Sequence, residues 1–231
     1  MKIFLFLSIF WVFTLNNCNS IDVLTHEKTF NSKTIEKGKV IFFGVVSAVQ
    51  KKLDNYNPLL EKHFRVIQKS WVIEPVSKGI QKVGRKKYQE ILNSYRKNSI
   101  LTPVQLIYLS DKMESQFLIL ARIESDKVIK NRFPDESGIW YRERWPNERI
   151  IYTMVRRVVT LSLSIYDLDL KKLVWQGVST KRLSNYLEFK STGEWDGTTF
   201  YYKAFNEYPF PPEPELRLIL DKLFKSFAEE L

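Results

Sequence analysis

From Val159 to Tyr166 apolar and polar side chains alternate without a break: Val159, Leu161, Leu163 and Ile165 against Thr160, Ser162, Ser164 and Tyr166. A period of two is the mark of a β-strand. The segment is therefore expected to be half-buried, with its hydroxyl side in water. Asp167 to Lys172 supplies a turn, and Leu173 to Val178 (LVWQGV) returns as a hairpin partner. A hairpin with one apolar face has to bury that face against another layer, so this feature commits the chain to a sheet-based architecture.

The remaining elements supply that layer. Lys39 to Val49 (KVIFFGVVSAV) is a continuous apolar run that suits a buried strand bending at Gly44. Asn57 followed by Pro58 reads as an N-cap and first helical position. Leu60, Phe64, Ile67 and Trp71 then recur at helical spacing. Trp71 to Pro75 fits a short strand and Val76 to Gly84 a connection. Tyr88, Ile91, Leu92 and Tyr95 mark one face of a second helix. Thr102-Pro103 opens a third, with Leu106, Ile107 and Met113 on its apolar side. Phe117 to Ile123 (FLILARI) is a further strand. Pro209, Pro211, Pro212 and Pro214 form a stiff extended stretch before a last helix, whose apolar side holds Leu216, Ile219, Leu220, Leu223, Phe224 and Phe227. With 231 residues, 44% of them hydrophobic, the chain can bury a sizeable core. The expected fold is an α/β (α+β) sandwich: a mixed β-sheet with packed helices, closed by a C-terminal amphipathic helix.

FLILARIE, then RRVVTLSLSIYDLDLKKLVWQGVSTKRLSNY, then the amphipathic terminal helix resemble the periplasmic lipoprotein domains related to the N-terminal domain of TolB and to the curli secretion protein CsgG. The matching features are Ile165-Tyr166-Asp167 at the end of one strand and Val174-Trp175 in the next. Where the family turn usually holds a glycine, this chain has Leu168-Asp169-Leu170-Lys171. The resemblance implies a TolB-N/CsgG-like fold over about 39–231. Its motifs are patterns of packing. Tyr166 and Trp175 are expected as cross-strand neighbours, and Asp167 as a turn former.

The amino terminus carries an address. After Met1-Lys2, the run Ile3 to Leu15 is apolar except for Ser8 and Thr14. Helical, it would span roughly 20 Å, short of the ~30 Å hydrocarbon core, which fits the h-region of a signal peptide. The only cysteine, Cys18, follows directly, and Leu15-Asn16-Asn17-Cys18 resembles a bacterial lipobox. The resemblance implies cleavage of residues 1–17 and acylation of Cys18. Plain secretion and an uncleaved anchor are the other two fates such a leader allows. Residues 18–38 then form a polar tether with an edge strand in part of it, and 39–231 a single domain.

Two insertions interrupt that domain, at about 126–152 and 186–210. The first holds Trp140 and Trp145 among arginines and glutamates, and the second holds Trp195 among further aromatics. In CsgG-type proteins these positions carry pore hairpins, but charges at nearly every second or third position argue against lipid-facing strands. Both insertions are expected either to complete the domain's own core or to offer aromatic anchors to a partner; Trp140, Trp145 and Trp195 are the candidate contacts.

Lys plus Arg is 36 against 26 Asp plus Glu, a net charge of +10. The densest basic patch is Lys78, Lys82, Arg85, Lys86 and Lys87. It is expected to be a solvated face, a contact for anionic head groups, or a site for a polyanion. Export removes the chain from nucleic acid. One cysteine excludes an intrachain disulfide, and His26 and His63 alone leave little for a metal site or a triad. There is no G-x-S-x-G, phosphate loop, H-E-x-x-H or C-x-x-C. Glu143 with Glu148, and Asp167 with Asp169, lie on expected loops or turns and are weak acid–base pairs. The expectation is no enzyme, no cofactor and no metal. The chain reads as a lipid-anchored cell-envelope protein, at the outer membrane with its domain in the periplasm or at the cell surface. It would act as a non-catalytic protein-interaction or assembly module. Its partners are the membrane, through Cys18, and an envelope protein, with a homo-oligomer left open. The alternatives are a CsgG-type secretion-pore subunit and an adhesin binding polyanions through the basic patch.

Overall fold

The computed structural model describes residues 20–27, 30, 33, 35, 38–49, 56–134, 148–192, 194–195, 200–201 and 205–231. Eight strands lie in chain order: β1 (Asp22–His26), β2 (Lys39–Ser47), β3 (Val72–Glu74), β4 (Phe117–Pro134), β5 (Glu148–Asp167), β6 (Lys172–Thr192), β7 (Glu194–Trp195) and β8 (Phe200–Tyr201). Five helices described over their whole length accompany them among the described residues: α1 (Asn57–Ile67), α2 (Val76–Val83), α3 (Arg85–Asn98), α4 (Pro103–Lys112) and α5 (Leu216–Glu230). The main sheet has the order β1-β6-β5-β4-β2-β3, and β7 and β8 make a separate two-stranded pair. β2 runs parallel to both β3 and β4, while β4, β5, β6 and β1 pair antiparallel. The expected α/β sandwich with a mixed sheet and a terminal helix is present.

Helices cover both faces of the sheet. On one side, Phe64 of α1 stacks edge-on against Phe42, and Phe227 of α5 against Trp175. On the other, Tyr88 of α3 packs on Phe43 and donates to its carbonyl at 2.8 Å, and Gly79 of α2 sits against Ile41 and Phe43. The alternation of β2 sends neighbouring phenylalanines to opposite layers, which is why its run is apolar throughout.

This double cover corrects the reading of Val159 to Tyr166. Ser162 and Ser164 are buried, at 1% and 0% exposure. Their hydroxyls are satisfied internally: Ser164 accepts from Tyr95 Oη at 3.0 Å and Gln176 Nε2 at 3.2 Å, and Ser162 donates to Glu124 Oε1 at 2.6 Å. Tyr166 and Trp175 are not neighbours on one face. An irregularity between Ile165 and Tyr166 pairs Trp175 with Ile165 and Tyr166 with Leu173. Tyr166 instead accepts the Leu101 N–H at 3.1 Å, and burial pushes its phenol up to about 12. Asp167 is the expected turn former, its Oδ1 accepting from Leu170 N at 2.9 Å.

Three local expectations change. The segment Val76 to Val83 is a helix, α2, and not a connection. Asn57 is already inside α1, and its side chain accepts from Val45 N at 2.9 Å instead of capping the helix. Ile107 is 48% exposed, and Leu109 takes the buried position beside Leu106. The Thr102-Pro103 start is as expected, with a full capping box between Thr102 and Gln105. Gly44 lies at φ +138, beside the register shift between Phe42 and Gly44, so β2 does bend there.

Candidate functional site

The three central strands are far longer than the body needs. β4, β5 and β6 have 18, 20 and 21 residues. At ~3.3 Å per residue, β5 alone runs about 65 Å. Pairing with β2 stops at Ser47 opposite Ile123, and pairing with β1 stops at Asp22 opposite Val178. Beyond those points the three strands continue as an arm, β4 to Pro134, β5 back to Glu148 and β6 to Thr192. A bulge between Ile123 and Ser125 marks its root, where an extra residue bends a strand. Both outer edges of the arm lack a paired strand among the described residues.

One side of the arm is closed by the chain before α5. Prolines have no N–H, so the 208–214 stretch cannot pair as a strand, and its carbonyls must find donors elsewhere. Arm side chains supply them. Arg132 Nε donates to Tyr208 O at 2.9 Å, Thr153 Oγ1 to Pro209 O at 2.8 Å, Asn185 Nδ2 to Pro212 O at 2.8 Å and Arg157 Nη1 to Pro214 O at 3.2 Å. The Arg132 guanidinium also lies 4.0 Å from the centre of the Phe210 ring. Arg157 grips Asp126 with two bonds, of 2.7 and 2.6 Å, and the Asp126 side chain is 4% exposed. That hydrogen-bonded partner holds the guanidinium above its ordinary pKa.

The other side of the arm is open. Cross-strand register places Phe133 beside Tyr152 and Glu188, Asn131 beside Met154 and Tyr186, Ile129 beside Arg156 and Ser184, and Lys127 beside Val158 and Arg182. Ile129, Phe133 and Tyr186 are 41%, 38% and 53% exposed. Lys127, Arg182 and Lys190 make no salt bridge among the described residues, and Arg156 bonds only to Ser184 and Met154. Part of each expected insertion is therefore strand: 126–134 and 148–152 of the first, 186–192 of the second.

A second feature is a groove of about 940 Å³ between α1 and α5, on the closed side. It is lined by the apolar Pro58, Leu59, Leu216 and Leu218 and by Lys62, Arg217 and Glu215. Asp221 is engaged by His63 at 2.8 Å. His26 hydrogen-bonds the Phe30 carbonyl at 2.8 Å. Neither histidine converges with other acids or a thiol: among the described residues no three of His, Cys, Asp and Glu form a metal-holding group.

The sequence-derived candidates divide as follows. Cys18, Trp140, Trp145 and Glu143 lie outside the described residues, and Trp195 is placed only by its backbone, in β7. In the basic patch, Lys78 pairs with Glu74, Lys82 with Glu114 and Lys87 with Glu90, while Arg85 and Lys86 stand exposed in the first turn of α3. Burial raises the Glu74 carboxyl, but its hydrogen bonds from Lys78 and Ser115 outweigh that and leave it below the ordinary carboxylate value. Sequence reasoning missed the open side of the arm. Its one available signal was the mixture of basic and apolar residues at 127–133 in the first insertion.

No family model matches the chain, and no curated protein does. Among solved structures, the chain is similar to the lipoprotein GNA1162 from Neisseria meningitidis, with 7% identity and a TM-score of 0.36, over 63% of this chain and 83% of that one. It is also similar to the hypothetical protein CT253 from Chlamydia trachomatis, with 14% identity and a TM-score of 0.36, over 84% of this chain and 94% of that one.

Proposed function

We propose that the chain is a lipid-anchored bacterial envelope protein that works by surface contact, not by chemistry. The observation that carries this reading is the apolar run Ile3–Leu15 followed directly by the chain's only cysteine, Cys18. The fold is compatible with it. No helix among the described residues is long and apolar enough to cross a membrane. Glu74 and Arg157, two of the described groups with shifted pKa values, are engaged in contacts that close the fold, with Ser115 and Asp126. The TolB-N/CsgG resemblance belongs to this proposal, as the class of envelope domain in which such a body would serve as an assembly module. The α1–α5 groove, with a lining of apolar residues and charges of both signs, is where it would receive a side chain of a protein partner.

Labelled palmitate fed to producing cells tests the reading. Wild type should carry label in the membrane fraction, and Cys18→Ala should carry none. Equal labelling of the two, or wild-type protein in the cytosolic fraction, would overturn it.

A further inference from the structure

The open side of the arm has a shape, a charge and a position that together name an occupant. We propose that it lies on the surface of an anionic phospholipid bilayer, so that the protein rests on the membrane by the arm as well as by its lipid. This deepens the lipid-anchored reading and rests on it.

Charge comes first. By register Lys127, Arg156, Arg182 and Lys190 share the open side with two acids, Glu148 and Glu188. The helices on that same side of the sheet add to the sign. Tyr95 of α3 reaches Ser164 and Arg122 Nε reaches the Arg96 carbonyl, which fixes α3 beside the arm's root. Lys86 and Lys97 are exposed on α3, and their separation of three turns puts them on one line, opposite the buried Tyr88, Ile91 and Tyr95. Basic side chains near an anionic leaflet are attracted within a Debye length of it.

Exposed aliphatic and aromatic groups sit among those charges. Ile129, Phe133 and Tyr186 are exposed on this extended ribbon. A head-group and acyl boundary rewards that mixture, since apolar side chains sink while Lys and Arg stay at the phosphates. A polyanion would use the charges and leave Ile129 and Phe133 in water. A second copy would bring the same positive face, in a chain of net charge +10.

The anchor's position supplies the third argument. Ser179 Oγ donates to the Ser20 carbonyl at 3.4 Å, and β1 is paired with β6 from Asp22 on. Ser179 adjoins the arm's first basic residues, Lys181 and Arg182. Cys18 is two residues from Ser20, a reach of at most about 7 Å. A lipid on Cys18 therefore holds the arm's root at the bilayer.

The full chain, reconstituted in vesicles, tests this with an environment-sensitive thiol label. Wild type, whose only thiol is Cys18, is the control for the anchor. If it takes up label, acylation has failed, and the arm is then read in a Cys18→Ser background. Tyr186→Cys reports the open side, and Leu218→Cys, at a position 51% exposed on α5, reports the closed side. With brominated phosphatidylcholine containing phosphatidylglycerol, the label at 186 should be quenched several-fold more than the label at 218. The difference should vanish in phosphatidylcholine alone, in high salt, and in Lys127→Glu/Arg182→Glu. The salt arm needs no charge variant, so a folding defect cannot mimic it. Equal quenching at 186 and 218, quenching at 186 that ignores lipid charge, or copies crosslinked through residue 186 in place of lipid contact would overturn the proposal.

Discussion

Ser164 shows how a polar residue can be a core residue. With 0% exposure, it is acceptor to two donors, Tyr95 and Gln176. Ser164→Ala should cost about 1–3 kcal/mol in urea unfolding, because it leaves the buried Tyr95 hydroxyl unsatisfied. Tyr95→Phe should cost less, about 1 kcal/mol, since Gln176 still serves the serine. The sequence pattern reports polarity, not burial, so the alternation Val159 to Tyr166 was legible as a strand and misleading as to which side meets water. Glu74 carries a pH signature. Its carboxyl is depressed in the folded state by Lys78 and Ser115 against the opposing effect of burial. The stability it contributes is therefore complete above the ordinary carboxylate value and is lost as pH falls through the lower folded value. Wild type should lose more stability than Glu74→Gln between pH 7 and pH 3, by roughly 1 kcal/mol in parallel urea titrations.

The arm and its proline-rich cover are one structural unit held by side-chain donors. Arg157 joins three pieces of it: β5, the bulged β4 through Asp126, and the stretch entering α5 through Pro214. Asp126→Ala should destabilise by about 3–5 kcal/mol, since it removes the carboxylate from a guanidinium only 16% exposed. Asp126→Ala/Arg157→Met should cost clearly less than the sum of the single changes. Additivity in that cycle would deny the pair its role. The elements with strong apolar periods, such as α5 and the first half of β4, were readable from sequence. The length of β4, β5 and β6 was not. Asp126, Lys127, Arg156 and Arg157 break the expected alternation, because one side of the arm is covered by the 208–214 stretch and the other is open. Helix α2 was missed because it is eight residues long, has Gly79 at its centre and has no side-chain cap.

Taken whole, the molecule is a body of three layers with a basic arm, and its two sides differ in kind. One side holds α1, α5 and the groove between them. The other presents α3 and the open arm, whose Lys127, Arg182 and Lys190 make no salt bridge among the described residues. The proposed address rests on the first 18 residues alone. The open side was not legible in the sequence, because it exists only once residues such as Lys127, Arg156 and Arg182, tens of positions apart, are brought level by the strand register. The edge strand expected within residues 18–38 is β1, and its docking on β6 leaves a short leash between Cys18 and the body. Everything about orientation depends on that leash carrying a lipid. The most direct measurement is the intact mass of the protein purified from the membranes of producing cells. The mass should correspond to a chain beginning at Cys18 and increased by acyl groups. An unmodified chain that still begins at Met1 would contradict the account.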